Sequence, residues 1–206
     1  MGNLNLFSNP DNCTHYNPLD GKFDYYPNFF CKEDSNRYFK YLLNYIPWQQ
    51  DNIKMYGKEH PIPRLASWFG DNGKTYTYSG ITMHPNNWSK ELLEVKSQIE
   101  SKLNKTFNSL LINQYRDGND NMSWHADDER ELGSEVLIAS VSFGAIRDFQ
   151  LKHKTEKSEN KINISLEDGS LVIMFPPTQE YWVHQIPKRK KVISPRINLT
   201  FRNIIG

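Results

Sequence analysis

The chain has few cysteines and no long hydrophobic run, and both features restrict its class. Its 206 residues include only Cys13 and Cys31, too few for a disulfide framework and without the spacing of a zinc cluster. We therefore expect reduced thiols, as in cytosolic proteins. No apolar stretch approaches the roughly 20 residues that cross a bilayer. The opening residues lack the basic and apolar segments of a secretory signal, so we expect a protein that is neither secreted nor bound to a membrane.

The chain also lacks a dominant charge. Lys and Arg number 25 against 24 Asp and Glu, which gives a formal net charge of +1. A balanced total neither requires nor excludes a polyanionic partner, because binding depends on local clusters. With 37% hydrophobic residues, the length suits one core. We expect an irregular N-terminal arm over residues 1–30 and a single domain over residues 31–206.

Two amphipathic helices are predicted in the first half of the domain. The first begins with Asp34 or Ser35 as N-cap and ends before Pro47. The second begins near Asn87 or Ser89 and carries an apolar stripe as far as Leu103.

After residue 105 the pattern changes to short β-type runs between turn residues. The dipeptide Asp168-Gly169 within Glu167-Asp168-Gly169 predicts a hairpin turn that joins two of these runs. The predicted strands cover residues 109–115, 136–143, 148–153, 162–166, 170–175, 181–186 and 197–204. This predicts a mainly β fold with flanking helices (α+β) and a double-stranded β-helix, or jelly-roll, core.

Three residues of the second half form a candidate metal site. His125 and Asp127 lie two apart, so at the end of a strand both side chains point the same way. His184 comes from a later predicted strand. Two imidazoles and one carboxylate suit an iron(II) centre that keeps positions open for chemistry. The same ligands also build hydrolytic zinc sites, so their chemistry alone does not decide the metal.

The last predicted strand carries two arginines six residues apart. At this even spacing Arg196 and Arg202 share one face with Asn198 and Thr200. Charged groups inside a barrel require a partner, and a guanidinium suits a carboxylate such as those of 2-oxoglutarate. The alternative is a strand turned over, with its apolar residues inward and its arginines solvated.

These residues occur within an ordered set of motifs that resembles the AlkB family of iron(II)/2-oxoglutarate dioxygenases, in particular its nuclear DNA-repair branch. The likeness runs from about residue 63 to residue 204. It is carried by Asn113-Gln114-Tyr115-Arg116-Asp117-Gly118, Trp124-His125-Ala126-Asp127-Asp128-Glu129, Ala139-Ser140-Val141-Ser142-Phe143-Gly144, His184 and Pro195-Arg196-Ile197-Asn198-Leu199-Thr200-Phe201-Arg202.

The resemblance implies a role for each matching position. The iron ligands would be His125, Asp127 and His184. The residues that hold 2-oxoglutarate would be Asn113, Tyr115, Arg196, Asn198, Thr200 and Arg202, with Arg196 on the distal carboxylate and Arg202 nearer the metal. The implied cosubstrates are 2-oxoglutarate and O2.

The resemblance also implies substrate contacts. Residues 50–85 would form a nucleotide-recognition lid beside a jelly-roll core over residues 105–206. In this lid Tyr76, Thr77 and Tyr78 would cover the base pocket, where Tyr78 stacks on a flipped base. Tyr78 departs from the phenylalanine common in the similar branch.

Two acidic residues and a candidate finger complete the implied base contacts. Asp128 and Glu129 would lie near the base. The alternative is a solvated acidic turn with Arg130 and Glu131, which explains Glu129 equally well. Tyr56, followed by Gly57 and Lys58, would fill the gap that the extruded base leaves in the duplex. The alternative is an exposed loop tyrosine.

A basic run between the last two predicted strands is a candidate phosphate contact. It consists of Lys188, Arg189, Lys190 and Lys191, and we expect Arg64 to add to it. A charge run of this kind is otherwise a solvated loop.

The implied activity is oxidative demethylation of DNA bases of the 1-methyladenine and 3-methylcytosine type, with RNA as a further substrate. Succinate, carbon dioxide and formaldehyde would be the products. We expect a monomer, cytoplasmic in a bacterium or nuclear in a eukaryote. Two alternatives stay open: a dioxygenase of the same fold that acts on RNA or a protein side chain, and a non-catalytic nucleic-acid-binding module.

Overall fold

The computed structural model describes residues 12–55, 58–71, 76–78, 81–83 and 85–205. Side chains are described for these residues except 53–55, 58, 76–78 and 81–83. Within these ranges the strands are β1 Thr14–Tyr16, β2 Lys22–Tyr26, β3 Asn52–Met55, β4 Lys58–Pro61, β5 Leu65–Gly70, β6 Tyr76–Tyr78, β7 Ile81–Met83, β8 Ser109–Tyr115, β9 Met122–His125, β10 Ile138–Gly144, β11 Arg147–His153, β12 Ile162–Leu166, β13 Ser170–Phe175, β14 Trp182–Ile186 and β15 Arg196–Arg202. The α-helices are α1 Lys32–Tyr45, α2 Lys90–Leu103 and α3 Thr178–Tyr181.

Two antiparallel sheets form the core. The larger has seven strands in the order β1-β2-β13-β10-β15-β8-β5, and the smaller has four in the order β12-β11-β14-β9. From β8 to β15, consecutive strands alternate between the two sheets except at β11 and β12, so the chain passes between the sheets repeatedly. The predicted mainly β fold with a jelly-roll core is confirmed.

The two long helices pack on the larger sheet. Helix α1 buries Tyr38 and Leu42, and α2 buries Val95 and Ile99, in one cluster with apolar residues of β10 and β15. Helix α2 begins where predicted, because the Ser89 side chain accepts a hydrogen bond from the Leu92 amide at 3.3 Å. This layer fixes one face of β15.

A second apolar cluster fills part of the space between the sheets. Its largest fully buried members include Phe23 of β2 and Trp182 of β14. The Trp182 indole also donates to the Leu19 carbonyl at 2.9 Å, which ties the segment before β2 to the smaller sheet.

The N-terminal segment differs from the predicted irregular arm. Strand β2 pairs with β13, and β1 pairs with β2, so residues 14–26 extend the larger sheet. Four of the five residues of β2 are buried. Because both of its faces are covered, β2 lacks the alternation that identifies a strand in a sequence. Strand β5, inside the predicted lid span, also belongs to this sheet.

The predicted hairpin at Glu167-Asp168-Gly169 is wrong. The turn connects β12 of the smaller sheet to β13 of the larger one, and these strands do not pair with each other. Gly169 has a positive φ of 78°, so the glycine was a correct sign of a turn. The turn type does not reveal whether the next strand stays in the same sheet.

Helices long and apolar enough to cross a membrane do not occur in the part of the chain that the structure describes.

Candidate active site

Three side chains from two adjacent strands form a compact group of metal-binding type. His125 ends β9 and lies directly opposite His184 of β14, and Asp127 follows His125 by two residues. The ligand atoms of the three residues all lie within 4.8 Å of one another. His125 Nε2 is 3.8 Å from Asp127 Oδ1, and the imidazole centroids are 4.2 Å apart. This donor set fits the facial arrangement of two imidazoles and a carboxylate on iron(II).

The surroundings of His125 and Asp127 orient them. His125 Nδ1 lies 2.8 Å from the Ser123 carbonyl oxygen, which can only accept, so Nδ1 is the donor of this bond and Nε2 is the nitrogen that can face a metal. The Asp127 amide donates to Gln179 Oε1 at 3.0 Å. Partners of this kind fix the direction of a ligand before the metal binds.

Electrostatics keep Asp127 and His184 in the form that binds a cation. Burial alone would raise the pKa of the Asp127 carboxyl, but the Arg202 guanidinium and the two imidazoles outweigh it and lower this pKa. Burial, together with the neighbouring His125, lowers the pKa of His184 to about 3. At neutral pH the site therefore offers a carboxylate and a neutral His184 imidazole.

A buried guanidinium lies in the same cavity. Arg196 is 1% exposed, and its Nη2 donates to Ser142 Oγ at 2.8 Å. Its Nε and Nη1 have no hydrogen bond within the described ranges. Burial lowers the pKa of Arg196 to about 10, against the opposing effect of Tyr115. Nε and Nη1 lie on opposite sides of the guanidinium, and either of them together with the second N–H of Nη2 forms a fork that fits a carboxylate.

Tyr115 separates Arg196 from a second buried arginine. Its ring lies 5.1 Å from the Arg196 guanidinium carbon and 5.5 Å from that of Arg147. Arg147 donates to the carbonyls of Asp117, Asp120 and Pro187 at distances between 2.7 and 3.1 Å. Arg147 therefore has a structural role that joins two loops, whereas Arg196 has donors to spare.

All six members of the predicted cosubstrate set line the cavity that also contains His125, Asp127 and His184. They are Asn113, Tyr115, Arg196, Asn198, Thr200 and Arg202. Asn198 donates to Ser140 Oγ at 2.8 Å and accepts from Thr200 at 3.1 Å. The alternative of solvated arginines on β15 is wrong, because Arg196 and Arg202 are both buried. The apolar residues of β15 face the helices instead.

Arg64 does not lie where a phosphate contact would be expected. It is buried, and its Nε donates to Asn113 Oδ1 at 2.9 Å. The predicted contribution of Arg64 to a basic surface disagrees with this position. The side chain instead fixes the orientation of an amide that lines the cavity.

The two acidic candidates next to the triad take different positions. Asp128 is exposed and pairs with Lys154 at 2.9 Å. Glu129 is half-buried, with Oε2 3.8 Å from Arg202 Nη1. The solvated-turn interpretation therefore suits Asp128 better than Glu129.

The lid candidates are described in part. Tyr56 and Gly57 lie outside the described residues. Lys58 begins β4, and Tyr76, Thr77 and Tyr78 form β6, which pairs with β7, without described side chains.

The basic run connects β14 to β15, the strands that carry His184 and Arg196. Lys188, Lys190 and Lys191 are exposed, while Arg189 pairs with Asp148 at 2.5 Å. The Arg189 amide also donates to the Gly118 carbonyl at 2.7 Å. A Cβ at Gly118 would lie 1.7 Å from the Arg189 carbonyl oxygen, so only glycine allows this close approach.

Sequence reasoning missed several residues that support the site. Gln179 holds Asp127, Ser142 holds Arg196, and Ser140 holds Asn198. Arg147 joins the neighbouring loops. No spacing rule connects Gln179 to a residue 52 positions away. Ser140 and Ser142 could have been found, because they alternate along the strand that pairs with β15.

Comparison with known proteins agrees with this chemistry. Residues 22–202 match the model of the 2OG-Fe(II) oxygenase superfamily. The chain is 40% identical over 189 residues to the human DNA oxidative demethylase ALKBH2, covering 87% of this chain and 72% of that protein. It is 42% identical over 187 residues to the mouse alpha-ketoglutarate-dependent dioxygenase alkB homolog 3, covering 87% of this chain and 65% of that protein. The chain therefore belongs to the AlkB family within the 2OG-Fe(II) oxygenase superfamily.

Proposed function

We propose that the protein is an oxidative demethylase that repairs N-alkylated bases of the 1-methyladenine and 3-methylcytosine type in DNA. The observation that carries the proposal is the available edge of Arg196 in the same cavity as the His-Asp-His group. Relatives that share about 40% identity with the chain are named DNA oxidative demethylases. The protein is an iron(II)- and 2-oxoglutarate-dependent dioxygenase, and O2 is its second cosubstrate.

The chain supplies positioning and charge. His125, Asp127 and His184 would hold iron(II) on one side and leave the other side for cosubstrates. Arg196 would bind the distal carboxylate of 2-oxoglutarate through Nε or Nη1 and the second N–H of Nη2, while the first N–H of Nη2 donates to Ser142. When bound, the metal and its cosubstrates supply the oxidising chemistry that hydroxylates an N-methyl group.

The products follow from the proposed substrate. A hydroxymethyl group on a ring nitrogen is unstable, so it releases formaldehyde and restores the base. No protein nucleophile is required for this step. A methylated base with impaired pairing also leaves the stack at a lower cost than an intact one. This lower cost would allow the protein to select the methylated base without a sequence-specific contact.

Exposed lysines support a nucleic-acid substrate. Lys188, Lys190 and Lys191 lie on a loop fixed to Gly118 and Asp148 through Arg189. A fixed loop presents its charges at a constant position, and such charges supply affinity independent of sequence. We propose that this loop contacts phosphates beside the base pocket formed with Tyr76, Thr77 and Tyr78.

A substrate panel tests the proposal. The full chain is incubated with iron(II), 2-oxoglutarate and matched oligonucleotides that carry 1-methyladenine or 3-methylcytosine, as single-stranded DNA, duplex DNA or RNA. We expect formaldehyde with methylated DNA and none with unmodified DNA. Formaldehyde from RNA alone would favour an RNA enzyme. Absence of formaldehyde and succinate with every nucleic acid would refute the proposal and favour a protein substrate or a non-catalytic module.

The proposed finger has its own test. If Tyr56 fills the gap left by the extruded base, Tyr56→Ala should reduce activity on duplex DNA about tenfold or more and leave single-strand activity nearly unchanged, because only the duplex must be held open. Tyr45→Ala is the matched control, since Tyr45 is 73% exposed on α1. Equal losses on both substrates would contradict the finger role.

A further inference from the structure

A second group of metal-binding side chains lies outside the active-site cavity, on the N-terminal hairpin. Cys13 Sγ is 3.8 Å from His15 Nδ1, and His15 Nδ1 is 2.7 Å from Asp24 Oδ1. The three ligand atoms lie within 4.8 Å of one another. A thiol, an imidazole and a carboxylate on one surface are the ligand types that zinc prefers.

The backbone pattern of this group repeats that of the catalytic triad. Cys13 directly precedes β1 and His15 lies within it, two residues later, so in extended backbone their side chains share a face. Asp24 lies directly opposite His15 on β2. In the active site, His125 and Asp127 are likewise two apart, and His184 lies opposite His125. The same strand geometry therefore brings three ligands together in two places.

We infer that Cys13, His15 and Asp24 form a second metal site that binds a zinc-type divalent ion and leaves one coordination position for water. Its ligand set differs from that of the iron centre because it includes a thiolate. A thiolate favours zinc and similar ions over magnesium, calcium and manganese.

The distances require only a small adjustment. Zinc bonds of about 2.0 Å to nitrogen and oxygen and about 2.3 Å to sulfur place tetrahedral ligand atoms roughly 3.3 to 3.6 Å apart. The Cys13–His15 distance of 3.8 Å is close to that range, and the His15–Asp24 distance must increase by about half an ångström. The His15 side chain is 63% exposed and so can move. Asp24 is buried, and its strand β2 pairs with β1 on one side and with β13 on the other.

Metal binding would deprotonate a thiol of this hairpin and link its two strands. Binding would release the proton of the Cys13 thiol, because the thiolate is the metal ligand. The ion would also join β1, the edge strand of the larger sheet, to its neighbour β2.

Cobalt(II) titration of the metal-free full chain tests the inference. Cobalt fills zinc sites, and a cobalt–thiolate bond gives a near-ultraviolet charge-transfer band that the His-Asp-His centre cannot produce. We expect this band at one thiolate-bound cobalt per chain. Zinc added afterwards should remove it.

Matched variants decide which side chains bind. Cys13→Ser should abolish the band, and Cys31→Ser should retain it, since serine is well accepted at the N-cap position of α1 that Cys31 occupies. His15→Gln and Asp24→Asn should each weaken cobalt binding by at least about tenfold. Absence of the band in the unmodified chain, or its persistence in Cys13→Ser, would overturn the inference. Unchanged affinity in both other variants would also overturn it, because a thiol alone would then bind the ion.

Discussion

Replacing Arg196 with methionine should separate cosubstrate binding from stability. Arg196 has one hydrogen bond, to Ser142, and two buried donors without a partner within the described residues. Methionine has a similar length and carries no charge that must be buried. The metal-free protein should therefore lose little or no stability, and its Tm should not fall.

The cost should appear in 2-oxoglutarate binding. Each hydrogen bond to a charged group contributes about 1.5 to 3 kcal/mol. Loss of two such bonds, one from Nε or Nη1 and one from Nη2, thus costs roughly 3 to 6 kcal/mol, which raises the KM for 2-oxoglutarate on the order of 100- to 10,000-fold. Succinate formation at increasing 2-oxoglutarate concentrations measures this change.

Arg147 offers a matched comparison on the other side of Tyr115. Its guanidinium donates to three backbone carbonyls, so Arg147→Met would leave them without a partner. We expect a loss of about 3 kcal/mol and a Tm lower by roughly 6 to 12 °C. If Arg196→Met kept the KM within threefold, or destabilised the protein as much as Arg147→Met, the assignment of Arg196 would be refuted.

Two further variants test the supporting residues. Gln179→Leu removes the acceptor for the Asp127 amide, so activity and iron affinity should fall about tenfold or more with the fold retained by circular dichroism; unchanged iron affinity would contradict the positioning role. Combined replacement of Lys188, Lys190 and Lys191 by alanine should reduce the slope of log binding constant against log salt by about 2 to 3 for duplex DNA. An unchanged slope would exclude these lysines from phosphate contacts.

Much of the fold was predictable because turn residues bound the strands of the second half. The structure places β8, β12 and β13 at the predicted limits. It differs where burial covers both faces of a strand. Four of the five residues of β2 and six of the seven residues of β15 are buried, so period-two alternation is lost. Only the neighbouring elements explain which way the side chains of these strands face.

The predictable part of the site is the part that spacing determines. His125 and Asp127 are two residues apart, and Arg196 and Arg202 are six apart. The two members of each pair share a face, because side chains alternate between the faces of extended backbone. Arg64 shows the limit of this reasoning. A charged residue in isolation suggests a surface, and only the fold reveals that it is buried against Asn113.

The arginine pair on either side of Tyr115 shows a second limit. Arg147 and Arg196 are both buried beside the same ring, yet Arg147 donates to three backbone carbonyls and Arg196 faces the cavity. Their functions differ through their partners, which come from distant parts of the chain. The sequence alone does not show which distant residues become the hydrogen-bond partners of each arginine.

The most direct measurement is the ratio of formaldehyde to succinate formed on an oligonucleotide with a single 1-methyladenine. We expect the two products in nearly equal amounts from the unmodified chain, with iron(II) and 2-oxoglutarate both required. His125→Ala should form neither product, because the metal site loses a ligand. Succinate without formaldehyde would contradict a demethylase, and full activity of His125→Ala would contradict the proposed metal site.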